Sequence, residues 1–203
     1  MERTILIATF NRGKVNEINQ FLSSLPIRGI DLHKLPGLAP CFERGGTFEE
    51  NACQKARYYS QFSPALTLSD DSGLVVDALN GQPGVHSARF ISEWATDEER
   101  NREVLFQMRA VPEERRSARF VCCMALARRG KLLDIFGGTV EGLIGQEPQG
   151  ESGFGYDPIF FIPEVGKTMA ELEPIEKLRV SHRGRALRKL GGALGTSCLV
   201  IKP

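Results

Sequence analysis

No stretch of this sequence approaches the ~20 consecutive apolar residues that a membrane-spanning helix requires. The first apolar run, Ile5 to Ala8, is too short for the hydrophobic region of a signal peptide. A soluble, cytoplasmic chain without a membrane partner is therefore expected. Charge of one sign is also missing: 26 Lys and Arg stand against 25 Asp and Glu, for a formal net charge of +1. Such a balance gives no support to non-specific nucleic-acid binding, so no stable nucleic-acid partner is expected. The five cysteines, Cys41, Cys53, Cys122, Cys123 and Cys198, are odd in number and contain no Cys-x-x-Cys spacing. That excludes the common zinc cage and a complete disulfide framework, and points to reduced, mostly buried thiols.

Familiar phosphate motifs are absent too. Gly166-Lys167-Thr168 resembles the end of a P-loop, but Phe161 stands where the first glycine would be required. Gly150, Gly153 and Gly155 do not make a dinucleotide fingerprint, and no nucleophile elbow occurs. Nor is there an internal repeat, a low-complexity segment or a linker-like shift in composition. Any phosphate handling falls to other groups.

What is present is a mixed α/β pattern. The run Ile5 to Ala8 reads as a buried strand. The loop Thr9 to Gly13 follows, then Val15, Ile18, Phe21, Leu22 and Leu25 at helical spacing. Further strands are expected over Ile27 to Leu32, Ala65 to Ser69, Ala118 to Ala127, Leu132 to Val140 and Ile159 to Ile162, with a last one over Leu199 to Ile201. Thr47-Phe48-Glu49-Glu50 and Thr96-Asp97-Glu98-Glu99 read as capping boxes opening helices. Ser181 can cap a final helix running to Leu194.

Five constellations can carry chemistry. Thr9, Asn11, Gly13 and Lys14 lie at a strand-to-helix junction, where backbone N–H groups and a helix start attract anions; a solvated turn with a surface lysine is the bland alternative. Asn51 and Lys55 share a helix face, and Glu50 either holds a metal or closes its capping box. Asp70 and Asp71 follow an apolar strand, so alternation points them apart; one can hold magnesium, or both can belong to an Asp-rich turn with Ser72 and Gly73. In Gly153-Phe154-Gly155-Tyr156-Asp157-Pro158 an aromatic between glycines can stack on a base, and Asp157 can accept from a ring N–H. Lys177 with His182 and Arg183 can bind phosphate or a base oxygen, or form a solvated basic face.

In order and spacing, these blocks resemble the inosine triphosphate pyrophosphatase family, the non-standard purine NTP pyrophosphatases. The shared pattern runs through Thr9-x-Asn11-x-x-Lys14, Thr47-Phe48-x-Glu50-Asn51-Ala52, Lys55-Ala56, Asp70-Asp71-Ser72-Gly73-Leu74, Pro83-Gly84, Ser87-Ala88-Arg89, Gly153 to Phe160 and Ser181-His182-Arg183-Gly184. The resemblance implies one α/β domain over 1–203, with an elongated mixed sheet, flanking helices and two lobes around a central cleft. It implies a magnesium-dependent homodimer that cleaves ITP, dITP and XTP to the monophosphate and pyrophosphate, keeping them out of DNA and RNA. By position, Asp71 looks like the proton acceptor and a metal ligand, and Glu50 like a second metal-site carboxylate. Thr9, Asn11, Gly13, Lys14 and Lys55 look like triphosphate-side groups. Ser72, Phe154, Gly155, Tyr156, Asp157, Lys177, His182 and Arg183 look like substrate contacts. Phe10 departs from the small residue common there, and it would be strained if that position required positive φ. Two rival readings are a related pyrophosphatase acting on modified pyrimidine nucleotides and a non-catalytic nucleotide- or RNA-binding module. The paired acids argue against the module, because carboxylates repel phosphate unless a metal intervenes.

Overall fold

The apolar run near the N-terminus forms strand β1 (Arg3–Ala8), with Ile5, Leu6, Ile7 and Ala8 fully buried. The computed structural model describes residues 3–35 and 37–195; the strand expected over Leu199 to Ile201 lies outside them. Along the chain follow α1 (Arg12–Leu22), β2 (Ile27–Asp31), α2 (Phe48–Tyr59), β3 (Leu66–Val76), α3 (Asp97–Met108), β4 (Ser117–Arg128), β5 (Lys131–Ile144), β6 (Phe160–Ile162), β7 (Lys167–Thr168), α4 (Pro174–Val180) and α5 (His182–Ala193). One seven-stranded mixed sheet runs in the order β2-β1-β3-β4-β5-β6-β7. β1 pairs parallel with β2 and β3, whereas β6 pairs antiparallel with β5 and β7. The expected α/β class with a mixed sheet and flanking helices is what the chain adopts. No helix among the described residues is long and apolar enough to cross a membrane.

The chain divides into two compact units. The first takes residues up to Asp71, Cys122–Gly138 and the chain from Arg183 on. In it, α2 lays Ala52 and Ala56 against Cys123, Ala125 and Ala127 of β4. Small side chains on both surfaces let helix and strand approach closely. Leu6, Ala8, Leu32 and Tyr59 fill a second cluster. Arg129 (φ 51) and Gly130 (φ 77) join β4 to β5, both in the left-handed region that a two-residue hairpin turn demands.

The second unit takes Ser72–Val121 and Thr139–His182. Val104 and Met108 of α3 pack against Leu74 and Val76 of β3, Phe120 of β4 and Phe160. Helix α3 opens on a complete capping box between Thr96 and Glu99, as its sequence predicts. On the outside of this unit, Ile91, Trp94 and Phe106 rim a groove of about 600 Å³, and Trp94 is 90% exposed.

Two local expectations are corrected. The acids Asp70 and Asp71 do not close a strand, because β3 runs unbroken through them to Val76. Ion pairs to both acids satisfy charges that would otherwise favour a turn. At the start of α2, Thr47 accepts from Glu50 N–H, but the Glu50 carboxylate accepts from Gly46 N–H (2.8 Å), so that capping box is only half formed.

Candidate functional site

In the first unit, charged side chains gather on β3 from both sides. Asp70 has no exposure to solvent. Its Oδ1 lies 2.6 Å from Lys14 Nζ, its Oδ2 accepts from Arg183 Nε at 2.9 Å, and Cys122 Sγ lies 3.2 Å from the same oxygen. Arg183 in turn donates through Nη1 to Glu17 Oε2 at 2.5 Å. Burial alone would raise the Asp70 carboxyl, but the guanidinium of Arg183 and then the ammonium of Lys14 hold it well below the usual carboxylate range. Asp70 anchors a lysine and an arginine as an anion.

Asp71 leaves the strand on the other side, as the alternation predicts. Its Oδ1 accepts from Lys55 Nζ at 2.7 Å and its Oδ2 from Asn51 Nδ2 at 3.4 Å. The two donors sit one turn apart on α2, a spacing that places them on one face. Burial raises the Asp71 carboxyl above its ordinary value; Lys55 and Lys14 oppose that rise, and Glu43 adds to it. A raised carboxyl is the better proton acceptor.

Glu43 went unremarked in the sequence, yet its Oε2 lies 3.4 Å from Lys55 Nζ. It sits in a loop without periodicity, twelve residues before Lys55, so only its acidity marks it. Glu50, the carboxylate singled out instead, is exposed at the start of α2. Ser69, just before the acids, donates from Oγ to Ala52 O at 2.6 Å, tying α2 to the strand.

The phosphate-side loop is built by its own polar side chains. Thr9 Oγ1 accepts from Asn11 N–H (3.2 Å), and Asn11 caps α1 by accepting from Lys14 N–H (3.0 Å). These bonds shape the turn and start the helix at Arg12, with Gly13 in its first turn. Phe10 is not among the residues with positive φ, so the condition that would strain it is not met. Its ring meets His33 and Tyr59 edge-on, with centroids 5.5 and 6.2 Å away.

The second unit holds the aromatic-glycine loop. Asp157 Oδ2 accepts from Phe154 N–H (2.8 Å) and from Lys177 Nζ (2.5 Å), and the same ammonium lies 4.7 Å from the centre of the Phe154 ring. The carboxylate therefore fixes both the backbone and the cation under the ring. Gly153 permits this: at φ +80, a Cβ there would stand 2.1 Å from Asp157 Oδ2. Tyr156 is a core residue whose hydroxyl donates to Ser87 O at 2.9 Å. His182 is buried and stacked on Phe120 at 4.7 Å, and Ser72 is half-buried on β3. Among the described cysteines, Cys122 and Cys123 are buried and Cys41 and Cys53 partly exposed, all four as free thiols.

No group of three or more His, Cys, Asp or Glu among the described residues is placed to hold a metal ion. A magnesium ion does not need one, since it is commonly held by one or two carboxylates together with waters and substrate phosphates. Asp71 and Glu43 converging on one ammonium show carboxylate oxygens gathered around a positive charge, the donor chemistry that suits this ion.

A family model described as the Ham1 family matches residues 5–193. A dITP/XTP pyrophosphatase of Geobacter sulfurreducens is 47% identical over 191 residues, 94% of this chain and 96% of that protein. The structure of a HAM1 protein from Coxiella burnetii superposes with a TM-score of 0.85 at 41% identity, over 96% of this chain and all of that one (100%). A nucleoside-triphosphatase / dITP/XTP pyrophosphatase from Mycobacterium abscessus gives a TM-score of 0.72 at 40% identity, over 92% of this chain and 98% of the other.

Proposed function

The chain belongs to the Ham1 family, and from that premise we propose that it hydrolyses the non-standard purine nucleoside triphosphates ITP, dITP and XTP to the monophosphate and pyrophosphate. Such an activity removes these nucleotides before they enter DNA or RNA. The observation that carries this reading is the division of labour between adjacent acids. Asp70 is locked as an anion by Arg183 and Lys14, while Asp71 is 7% exposed with its carboxyl raised.

Asp71 takes a proton from a water as its oxygen attacks the α-phosphorus, and the bond from that phosphorus to the bridging oxygen breaks. Lys14 and Lys55 stabilise the charge on the departing pyrophosphate. Thr9, Asn11 and Gly13 present the turn and helix start to phosphate oxygens. Asp71 and Glu50, with Glu43 beside Lys55, would hold magnesium. When bound, that ion offsets charge on the phosphate oxygens. Phe154 offers its face to the purine, with Gly155, Asp157 and Lys177 as its neighbours, and Ser72, Tyr156 and His182 complete the surroundings. Arg183, already held by Asp70 and Glu17, directs donor chemistry at the 6-oxo group that hypoxanthine and xanthine carry and adenine lacks. A homodimer working in the cytoplasm is part of the same reading.

The test is pyrophosphate release from ITP beside ATP and GTP, with and without magnesium. Magnesium-dependent release favouring ITP is expected, nearly abolished in Asp71→Asn. Because Arg183→Ala would strip a buried carboxylate of its partner, base choice is better probed with Arg183→Lys, which keeps the charge and loses the planar fork. The ITP-over-ATP preference should fall in that variant; an unchanged preference removes Arg183 from base reading. Release from none of the three nucleotides would overturn the activity itself, and a preference for modified pyrimidine substrates would favour the rival pyrophosphatase.

A further inference from the structure

Helix α3 carries a polar residue where its pattern calls for an apolar one. Its buried stripe consists of Asn101, Val104 and Met108, and Asn101 is 5% exposed. The Asn101 side chain donates from Nδ2 to Gly155 O at 3.0 Å, across 54 residues of sequence. No described protein group donates to its Oδ1. A buried amide with one end unsatisfied is a poor choice for packing alone, and such groups in native proteins call for another explanation.

One turn earlier on the same helix, Asp97 Oδ2 accepts from Gly155 N–H at 2.7 Å. Residues four apart share a helix face, so one face of α3 grips both backbone polar groups of a single glycine. Gly155 has φ +65, a conformation other residues rarely adopt. Asp97 is itself steadied by Arg100, which reaches both its Oδ1 and Ala95 O. On the far side of the glycine lie Tyr156 and Asp157, and before it Phe154. Asp97, Asn101, Leu105, Phe154, Gly155 and Pro158 border one cavity of about 500 Å³.

We propose that Asp97 and Asn101 are positioning residues for the purine: by clamping Gly155 at its N–H and its carbonyl, they set the plane of Phe154 and the place of Asp157. This inference rests on the reading that the Phe154 loop receives the base. Both residues act on the loop that receives the base rather than on the phosphate-side groups, so loosening the clamp should weaken substrate capture more than turnover. A misplacement of the order of an ångström can cost up to ~100-fold in an enzyme's efficiency.

Steady-state kinetics on the full chain with ITP test it, using Asn101→Ala, Asp97→Ala, Phe154→Ala and the double variant Asn101→Ala/Phe154→Ala. Asp97 has a side chain 47% exposed, so Asp97→Ala keeps the test alive if Asn101→Ala folds poorly. Each clamp variant is expected to raise KM for ITP by roughly tenfold, with kcat changed much less. Adding Asn101→Ala to Phe154→Ala should then cost little more, because the clamp acts through that ring. Asp97→Asn, which restores an acceptor oxygen, should recover KM toward the wild-type value. If Phe154→Ala raises KM while both clamp variants leave it unchanged, the inference is wrong and the loop reading stands. Should Phe154→Ala itself leave KM unchanged, the loop reading fails and the inference falls with it. Parallel losses of kcat, KM effect and thermal midpoint in both clamp variants would make α3 a structural support only, which also overturns the proposal.

Discussion

Asp70 and Asp71 are successive residues of one strand whose proton affinities move in opposite directions: burial raises both carboxyls, and at Asp70 the cations outweigh it. Asp70 meets two cations and no solvent, whereas Asp71 meets one buried lysine that it shares with Glu43. The same accounting applies to phenols. Burial pushes the Tyr156 and Tyr59 hydroxyls above the ordinary tyrosine range. Above about pH 10 the unfolded chain sheds its phenolic protons while the folded chain still holds these two. The native state then binds more protons, so stability falls with rising pH; the contribution is complete below about pH 10 and is lost above it. Absorbance titration of tyrosinate should therefore lag in the native protein relative to the same chain in urea. Coincident curves would mean that the Tyr156 and Tyr59 hydroxyls are not buried from solvent.

Helix starts separate local from tertiary information. The box at Thr96 was legible because all its atoms lie within four residues, and it forms completely. Thr96→Ala should cost about 1 kcal/mol in a urea melt. Glu50→Gln should cost less in stability than in activity, because that carboxylate does not close its box. A melt in which Glu50→Gln is the more damaging of the two would contradict this. Helix α4 was missed altogether. It starts at Pro174 after Glu173, a position without the usual Ser, Thr, Asp or Asn, where the Glu173 N–H donates to the Glu176 carboxylate at 3.0 Å. Strand β3 was cut short for a related reason: intrinsic preference speaks against two aspartates in a strand, and only ion pairs from residues 14, 55 and 183 override it. Those partners are far apart in sequence, and so is Glu43 from the acids it accompanies.

For the whole molecule, the cores of both units are clusters of apolar side chains, and Lys55 supplies a positive charge to Asp71. Chelation by EDTA should accordingly stop pyrophosphate release while leaving the thermal midpoint nearly unchanged. A large fall in that midpoint would show the metal to be structural. The order of the sequence blocks was enough to indicate the family and the α/β class. The pairing of Arg183 with Asp70 across 113 residues and the grip of α3 on Gly155 were not legible, since both depend on long-range geometry that no local pattern encodes.

Trp94, the one tryptophan of the chain, stands 90% exposed beside Ile91 and Phe106. Its indole lies in water in the native state much as it would in an unfolded chain. The protein's intrinsic fluorescence is thus nearly blind to folding: its emission colour should shift little on denaturation, and a dissolved quencher should reach it from the start. The same property makes it a sensitive optical reporter for anything that covers the groove.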